Sequence, residues 1–197
     1  MGSLLDAAPR FLDPVLGAVE RIDRWRRRLR PAGTDALLWI EERQHGGDPV
    51  SLADGTNVLR GDRVCAIHFD NRRLRELSAP AWQTAAHAAA RADLRALAHR
   101  HATLPAGRRP VAYCGATLLT SLTRRAGFEI RERRRTPRVR LEDWYLRSLL
   151  VRWSPDGRAR LRRGSRALVT REGWLSGSEL LRRYGDENAL PSGVERA

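Results

Sequence analysis

Apolar positions along the chain follow two periods, one helical and one alternating, and the switches between them mark out the elements. Leu12, Val15, Leu16, Val19, Ile22 and Leu29 recur at helical spacing behind Asp13-Pro14, a capping acid with proline at the first helical position. This predicts an N-terminal amphipathic helix that Pro31 stops, with Pro31-Ala32-Gly33 as a short linker. Its stripe is expected to face the core of the domain. Short apolar runs at Ala36–Ile40, Val50–Leu52, Asn57–Leu59 and Val64–Phe69 then predict strands. Asp54-Gly55 is a hairpin turn between the second and third, and Gly61-Asp62 turns the chain again.

Beyond Phe69 the helical period returns. Asp70 or Asn71 caps a short helix through Leu77, and Ser78-Ala79-Pro80 starts a longer one to Ala102. Trp82, Ala86, Ala89, Leu94, Leu97 and Ala98 form its expected buried side. Val111–Cys114 is predicted as a strand, Thr117–Ala126 as a helix closed by Gly127, and Phe128–Arg131 as a strand. Arg131–Arg140, broken by Pro137, is expected to be a solvated loop. Trp144–Trp153 is apolar and compatible with a strand, with a helix as the alternative. Ala167–Thr170 reads as a strand that Trp174-Leu175 closes. Ser176 then caps a last helix, with Glu179 completing a capping box, and Tyr184-Gly185 ends it. This order predicts an α/β (or α+β) fold, a single compact mixed-sheet domain with at least one βαβ-like unit. The expected boundaries are the N-terminal helix and linker at 1–31, the domain at 32–188 and a disordered tail at 189–197.

Charge changes this picture more than composition does. The formal net charge is +14, and all 37 basic residues are arginine. Missing lysine is what GC-rich codon usage produces, but codon usage does not explain the positive excess. Arginine's planar fork suits phosphate and carboxylate, so the clusters at 24–30, 131–140 and 158–166 define one functional alternative. In it, Arg26, Arg27, Arg28, Arg133, Arg134 and Arg135 contact nucleic acid or another anion through its charges, and Trp25, Trp144 and Trp153 offer stacking faces. No helix-turn-helix, RNA-recognition or zinc-finger pattern accompanies them. Cys65 and Cys114 sit inside apolar runs and read as two buried thiols. There is no secretory leader pattern and no apolar run of membrane length, which predicts a cytoplasmic protein, with peripheral attachment at the inner membrane face open to the arginine-rich helix.

Candidate chemistry centres on His68, at the C-terminal end of a predicted strand, where ligands bind in open α/β sheets. With Asp62 or Asn71 in support, His68 is the candidate general base or ligand-orienting residue. Cys114-Gly115-Ala116-Thr117 lies between a predicted strand and helix. A thiol there can be activated and the amides can hold an anion, and catalysis would need His68 close by. The alternative makes Thr117 a helix cap and Cys114 a small core residue. His99 and His101 are two apart on a helix and point to different faces, and His87 stands among alanines. No zinc spacing, P-loop or G-x-S-x-G elbow occurs, so no metal or cofactor is expected.

The runs DGTNVLRGDRVCAIHFDNRRL, GATLLTSLTRRAGFEI and WLSGSELLRRYG resemble the YkoP-like proteins, a bacterial family. The family pattern falls here on Gly61-Asp62, on His68 with Asn71, on Gly115 with Thr117, on Gly127-Phe128-Glu129 and on Trp174-Leu175-Ser176. The resemblance spans about Ala36 to Gly185. It implies a compact α/β domain, found alone or beside polysaccharide-deacetylase modules, and through that association a link to envelope-polysaccharide metabolism. It implies no particular reaction, and the metal-binding motifs of the deacetylase module are absent. The function expected is therefore an accessory or ligand-binding domain taking an anionic or sugar-like ligand near Asp62, His68, Asn71, Gly115 and Thr117. Arginine-based nucleic-acid binding and catalysis by His68 are the alternatives.

Overall fold

The computed structural model describes residues 21–22, 24–76, 82–134, 136–153 and 169–185. The strands are β1 (Arg30–Pro31), β2 (Leu38–Gln44), β3 (Val50–Ser51), β4 (Asn57–Val58), β5 (Arg63–Phe69), β6 (Ala112–Thr117), β7 (Glu129–Arg131) and β8 (Arg171–Ser176). The helices are α1 (Asn71–Glu76), α2 (Trp82–Thr103), α3 (Thr120–Arg125), α4 (Pro137–Trp153) and α5 (Gly177–Tyr184). Six strands form one mixed sheet in the order β1-β2-β5-β6-β8-β7, and β3 pairs with β4 as a separate hairpin. Among the described strands only β5 and β6 run parallel, and α1 and α2 lie between them in the chain, which is the expected βαβ-like unit. The chain is a single α+β domain.

Alternation along the strands divides the sheet into two faces. Leu38, Ile40, Cys65, Tyr113 and Leu175 point to one face, where α2 covers them with Ala86, Ala90, Leu94, Leu97 and Ala98. Four of those five α2 residues are separated by three or four positions, so they form one stripe whose small alanines let the helix lie close to the sheet. Leu180 and Tyr184 of α5 complete this core, and the Tyr184 hydroxyl donates to the Ala126 carbonyl at 3.0 Å. On the other face, Val64, Ala66, Ala112, Cys114 and Trp174 pack under Leu52 and Val58 of the hairpin. Gly55 makes that hairpin's turn with φ at 86°, as the Asp-Gly pair required.

Asp93 of α2 fastens the edge of the sheet. Its Oδ2 accepts the backbone N–H groups of Leu37 and Leu38, each at 2.8 Å, and the residue is only 4% exposed. At the opposite end of the sheet, the Ser176 hydroxyl caps α5 by accepting the Glu179 N–H at 2.9 Å.

Several expectations give way to longer-range pairing. The first strand does not stop at Ile40 but continues through the polar Glu41-Glu42-Arg43-Gln44, because all seven residues of β2 pair with β5. Pro31 is not only the start of a linker: with Arg30 it forms the edge strand β1, a position where proline's missing N–H costs nothing. Thr117 ends β6 instead of starting a helix, and α3 begins at Thr120. Arg131–Arg140 is not all loop, nor is Trp144–Trp153 a strand. Pro137 opens the seventeen-residue α4, and the Thr136 hydroxyl accepts the Val139 N–H at 3.2 Å. The last strand is Arg171–Ser176, so Trp174-Leu175 lies at its heart, while Val169 and Thr170 precede it. The capping box at Ser176 is half made, because the Glu179 carboxylate is engaged by Arg182 and Arg183. The start of the N-terminal helix, the Ser78-Ala79-Pro80 helix start, Ala167-Leu168 and the 189–197 tail lie outside the described residues. Ile22, assigned to the core-facing stripe of that helix, is 56% exposed and faces outward.

Candidate functional site

His68 is the sixth residue of β5, and alternation puts it on the hairpin's face of the sheet, beyond the apolar patch that the hairpin covers. In register with it on β2 is Trp39, and two residues further along that strand is Glu41. The His68 Nε2 lies 3.2 Å from Glu41 Oε2, and Arg27 Nη1 lies 3.5 Å from the same oxygen. Glu41 is 17% exposed and His68 31%, so the pair is sheltered yet reachable from solvent. One carboxylate therefore orients an imidazole and anchors a guanidinium.

A second ion pair closes the corner. Arg24 Nη2 lies 3.2 Å from Asp70 Oδ1, and its guanidinium carbon sits 4.7 Å above the centre of the Trp39 ring. Asp70, rather than Asn71, is the cap of α1: its Oδ1 accepts the N–H groups of Arg72 at 2.8 Å and Arg73 at 3.1 Å. Asn71 is the first residue of that helix. The corner thus brings together an aromatic ring, an imidazole, two carboxylates and two guanidiniums from β2, β5, the α1 cap and the segment preceding β1.

The other expected site residues lie elsewhere. Asp62 sits in the turn before β5, where its Oδ2 accepts the Leu59 N–H at 2.7 Å. It is separated from His68 by nearly the whole strand, roughly 20 Å. Gly115 and Thr117 lie in β6 and point to the helical face, away from His68. They border an apolar cavity of about 40 Å³ with Ile67, Leu94, Leu122 and Phe128. That volume holds two or three waters at most and the lining offers almost no polar partner, so the cavity suits a small apolar group and not a polar ligand. Gly115 is there for packing: a Cβ on it would stand 2.7 Å from the Ile67 carbonyl oxygen of the parallel neighbour strand.

Cys114 is also not at a helix N-terminus. It is fully buried mid-strand, its sulfur 3.9 Å from Arg43 Nη2, and burial pushes its thiol up to about 11 despite that guanidinium. Burial raises Cys65 as well, and both thiols are free. Neither is a nucleophile at neutral pH.

A family model for the YkoP domain matches residues 10–184. The chain belongs to the YkoP domain family. No curated protein and no solved structure matches it. Within this YkoP domain the matched span covers every residue of the Glu41–His68 corner and the cavity beneath α2.

Among the described residues, the arginines of the YkoP domain do not form one continuous strip. The 24–30 cluster borders β1 and β2, whereas Arg133 and Arg134 follow β7 at the opposite edge, about 24 Å away across five strand spacings. Arg133 is paired with Glu142 at 2.8 Å, Arg134 is exposed, and Arg135 and the 158–166 cluster lie outside the described residues. Arg26 and Arg28 are exposed. Glu41 and Trp39 are the members of this candidate site that the sequence reading missed. The usable signal was the alternation Leu38-Trp39-Ile40-Glu41, whose inward positions are apolar and whose outward positions are an aromatic and an acid.

Proposed function

We propose that this YkoP domain is an accessory, ligand-binding module that holds a hydroxyl-rich, sugar-like ligand at the Glu41–His68 corner, in keeping with a link to envelope-polysaccharide metabolism. The observation that carries this is the convergence of Trp39, Glu41, His68 and Arg27 at one partly open corner of the sheet. Its two guanidiniums are balanced by the Glu41 and Asp70 carboxylates, so the corner does not concentrate positive charge for a polyanion. It offers what sugar hydroxyls use: carboxylate acceptors, imidazole and guanidinium donors, and an apolar ring.

The test is a chemical-shift titration of the isotope-labelled full chain with chitotriose, and separately with inorganic phosphate. Chitotriose is expected to shift the Trp39 indole and His68 signals, with binding roughly ten-fold weaker or more in Glu41→Gln. Shifts with phosphate alone point to an anionic ligand instead, and no shift with either probe overturns the proposal. Catalysis by His68 is the second reading, favoured by the Glu41 contact that would orient a general base. A pocket shared by His68 and Thr117 would have strengthened it, but the two residues occupy opposite faces of the sheet. Turnover of a bound sugar that disappears in His68→Ala while binding persists would establish it. The nucleic-acid alternative predicts salt-dependent binding to generic duplex, and absence of binding at low salt removes it.

A further inference from the structure

We infer that the outer surface of residues 21–28 is a docking site for an anionic lipid bilayer, separate from the Glu41–His68 corner. The arginines of this segment divide by direction. Arg24 and Arg27 turn inward and are neutralised by Asp70 and Glu41, which pins the segment to the sheet. Arg21, Arg26, Arg28 and Arg30 are exposed, and no described residue brings a carboxylate to any of them. Among these outward cations stand the two most conspicuous apolar side chains of the segment, Trp25 at 80% exposed and Ile22 at 56%.

Ile22 and Trp25 are three positions apart in a helical stretch, so they share one side of it. An exposed tryptophan and aliphatic side chain ringed by arginines match the two requirements of an interfacial anchor. The apolar pair enters the acyl boundary while the guanidiniums meet phosphate headgroups. Nucleic acid is the less favoured partner: its interfaces are polar, and the aliphatic Ile22 offers no stacking face. Among the described residues no helix is long and apolar enough to cross a membrane, so attachment here is to the surface. Charge complementarity supplies the selection, at about a five-fold gain in affinity per arginine near an anionic leaflet.

Sedimentation of the full chain with lipid vesicles tests this. Binding is expected to phosphatidylcholine vesicles containing phosphatidylglycerol, weakly or not at all to phosphatidylcholine alone, and to fall as salt is raised. Trp25→Ala is expected to weaken binding roughly ten-fold or more, from the apolar area it withdraws. Arg21→Gln combined with Arg26→Gln is expected to weaken it about twenty-five-fold by the same per-arginine factor. All three positions are exposed, and unchanged circular dichroism confirms that the variants fold. Leu59→Ala removes an exposed apolar side chain (53%) near the far end of β5 and is expected to leave binding unaltered. Wild-type binding by Trp25→Ala, an equal loss in Leu59→Ala, or binding to generic duplex DNA without binding to vesicles would each overturn the inference. Its failure would leave the sugar-ligand reading intact, because Ile22, Trp25 and the outward arginines take no part in that corner.

Discussion

Replacing Asp93 with alanine removes the acceptor for two backbone donors at once. Its Oδ2 receives the Leu37 and Leu38 N–H groups at 2.8 Å each, and Leu37 and Leu38 are themselves 0% and 3% exposed. No water can take over those donors without opening the edge of the sheet. At about 1–3 kcal/mol for each buried donor left unsatisfied, Asp93→Ala is expected to cost roughly 2–6 kcal/mol. That is a large part of the 5–15 kcal/mol or so that holds an ordinary domain together. Asp93→Asn keeps an oxygen in place to accept the two N–H groups, so a clearly smaller loss than in Asp93→Ala is expected. Urea unfolding followed by tryptophan fluorescence measures both. The pH dependence supplies a second check. Burial raises the Asp93 carboxyl, although the two N–H groups oppose this. A raised folded pKa means the native state holds its proton longer than the unfolded chain, so this contribution is full below 3.8 and fades as pH rises through the folded value. Asp93→Asn is expected to lose that slope. A loss below about 1 kcal/mol in Asp93→Ala, or equal losses in the two variants, would refute the clamp.

Two further outcomes follow from local geometry. Gly115→Ala places a methyl 2.7 Å from the Ile67 carbonyl oxygen, and since Ile67 is held on its other side by pairing with Ile40 of β2, a loss of about 1–3 kcal/mol is expected in thermal unfolding; a change within 0.5 kcal/mol or so would show that the strands can part. Asp54 responds to acid in the opposite sense to Asp93: burial alone would raise its carboxyl, but hydrogen bonds from Ser176, Ser178 and Thr56 prevail and bring it from 3.8 to about 2. Its contribution is therefore present above 3.8 and lost as pH falls toward about 2, and because the residue is exposed it amounts to about 1 kcal/mol after screening. Stability of Asp54→Asn should be flatter than wild type across that window, and parallel curves would contradict the assignment.

Glu41 and Asp93 show why the candidate site and the contacts that hold the sheet were harder to read than the elements. Glu41 lies beyond the last apolar residue of its run, where hydrophobicity alone ends the strand at Ile40. Pairing with β5 extends it, because the backbone groups of Glu41–Gln44 find partners whatever their side chains are. His68 was legible from its place at a strand end. Its partner, 27 positions earlier in the chain, was not, because only the register of β2 on β5 decides which side chains stand together. Asp93 looks like any surface acid on an alanine-rich helix. Its role depends on a contact 55 residues away.

The local period, turn chemistry and caps determined from sequence alone that this chain holds an alternating set of strands and helices, with a hairpin at Asp54-Gly55, a βαβ-like crossover and a cap at Ser176. Those features depend on neighbours a few residues apart, and short-range sterics and hydrogen bonds are written in the order of residues. Tertiary structure alone decided the helical state of Trp144–Trp153, the face that each strand residue occupies, and the meeting of Trp39, Glu41 and His68. A shift of one residue in pairing would exchange the two faces of β5, taking His68 from the polar corner to the apolar core beneath α2. What excludes that shift is the burial of Cys65, Ile67 and Phe69 against α2, a long-range term that no local pattern contains.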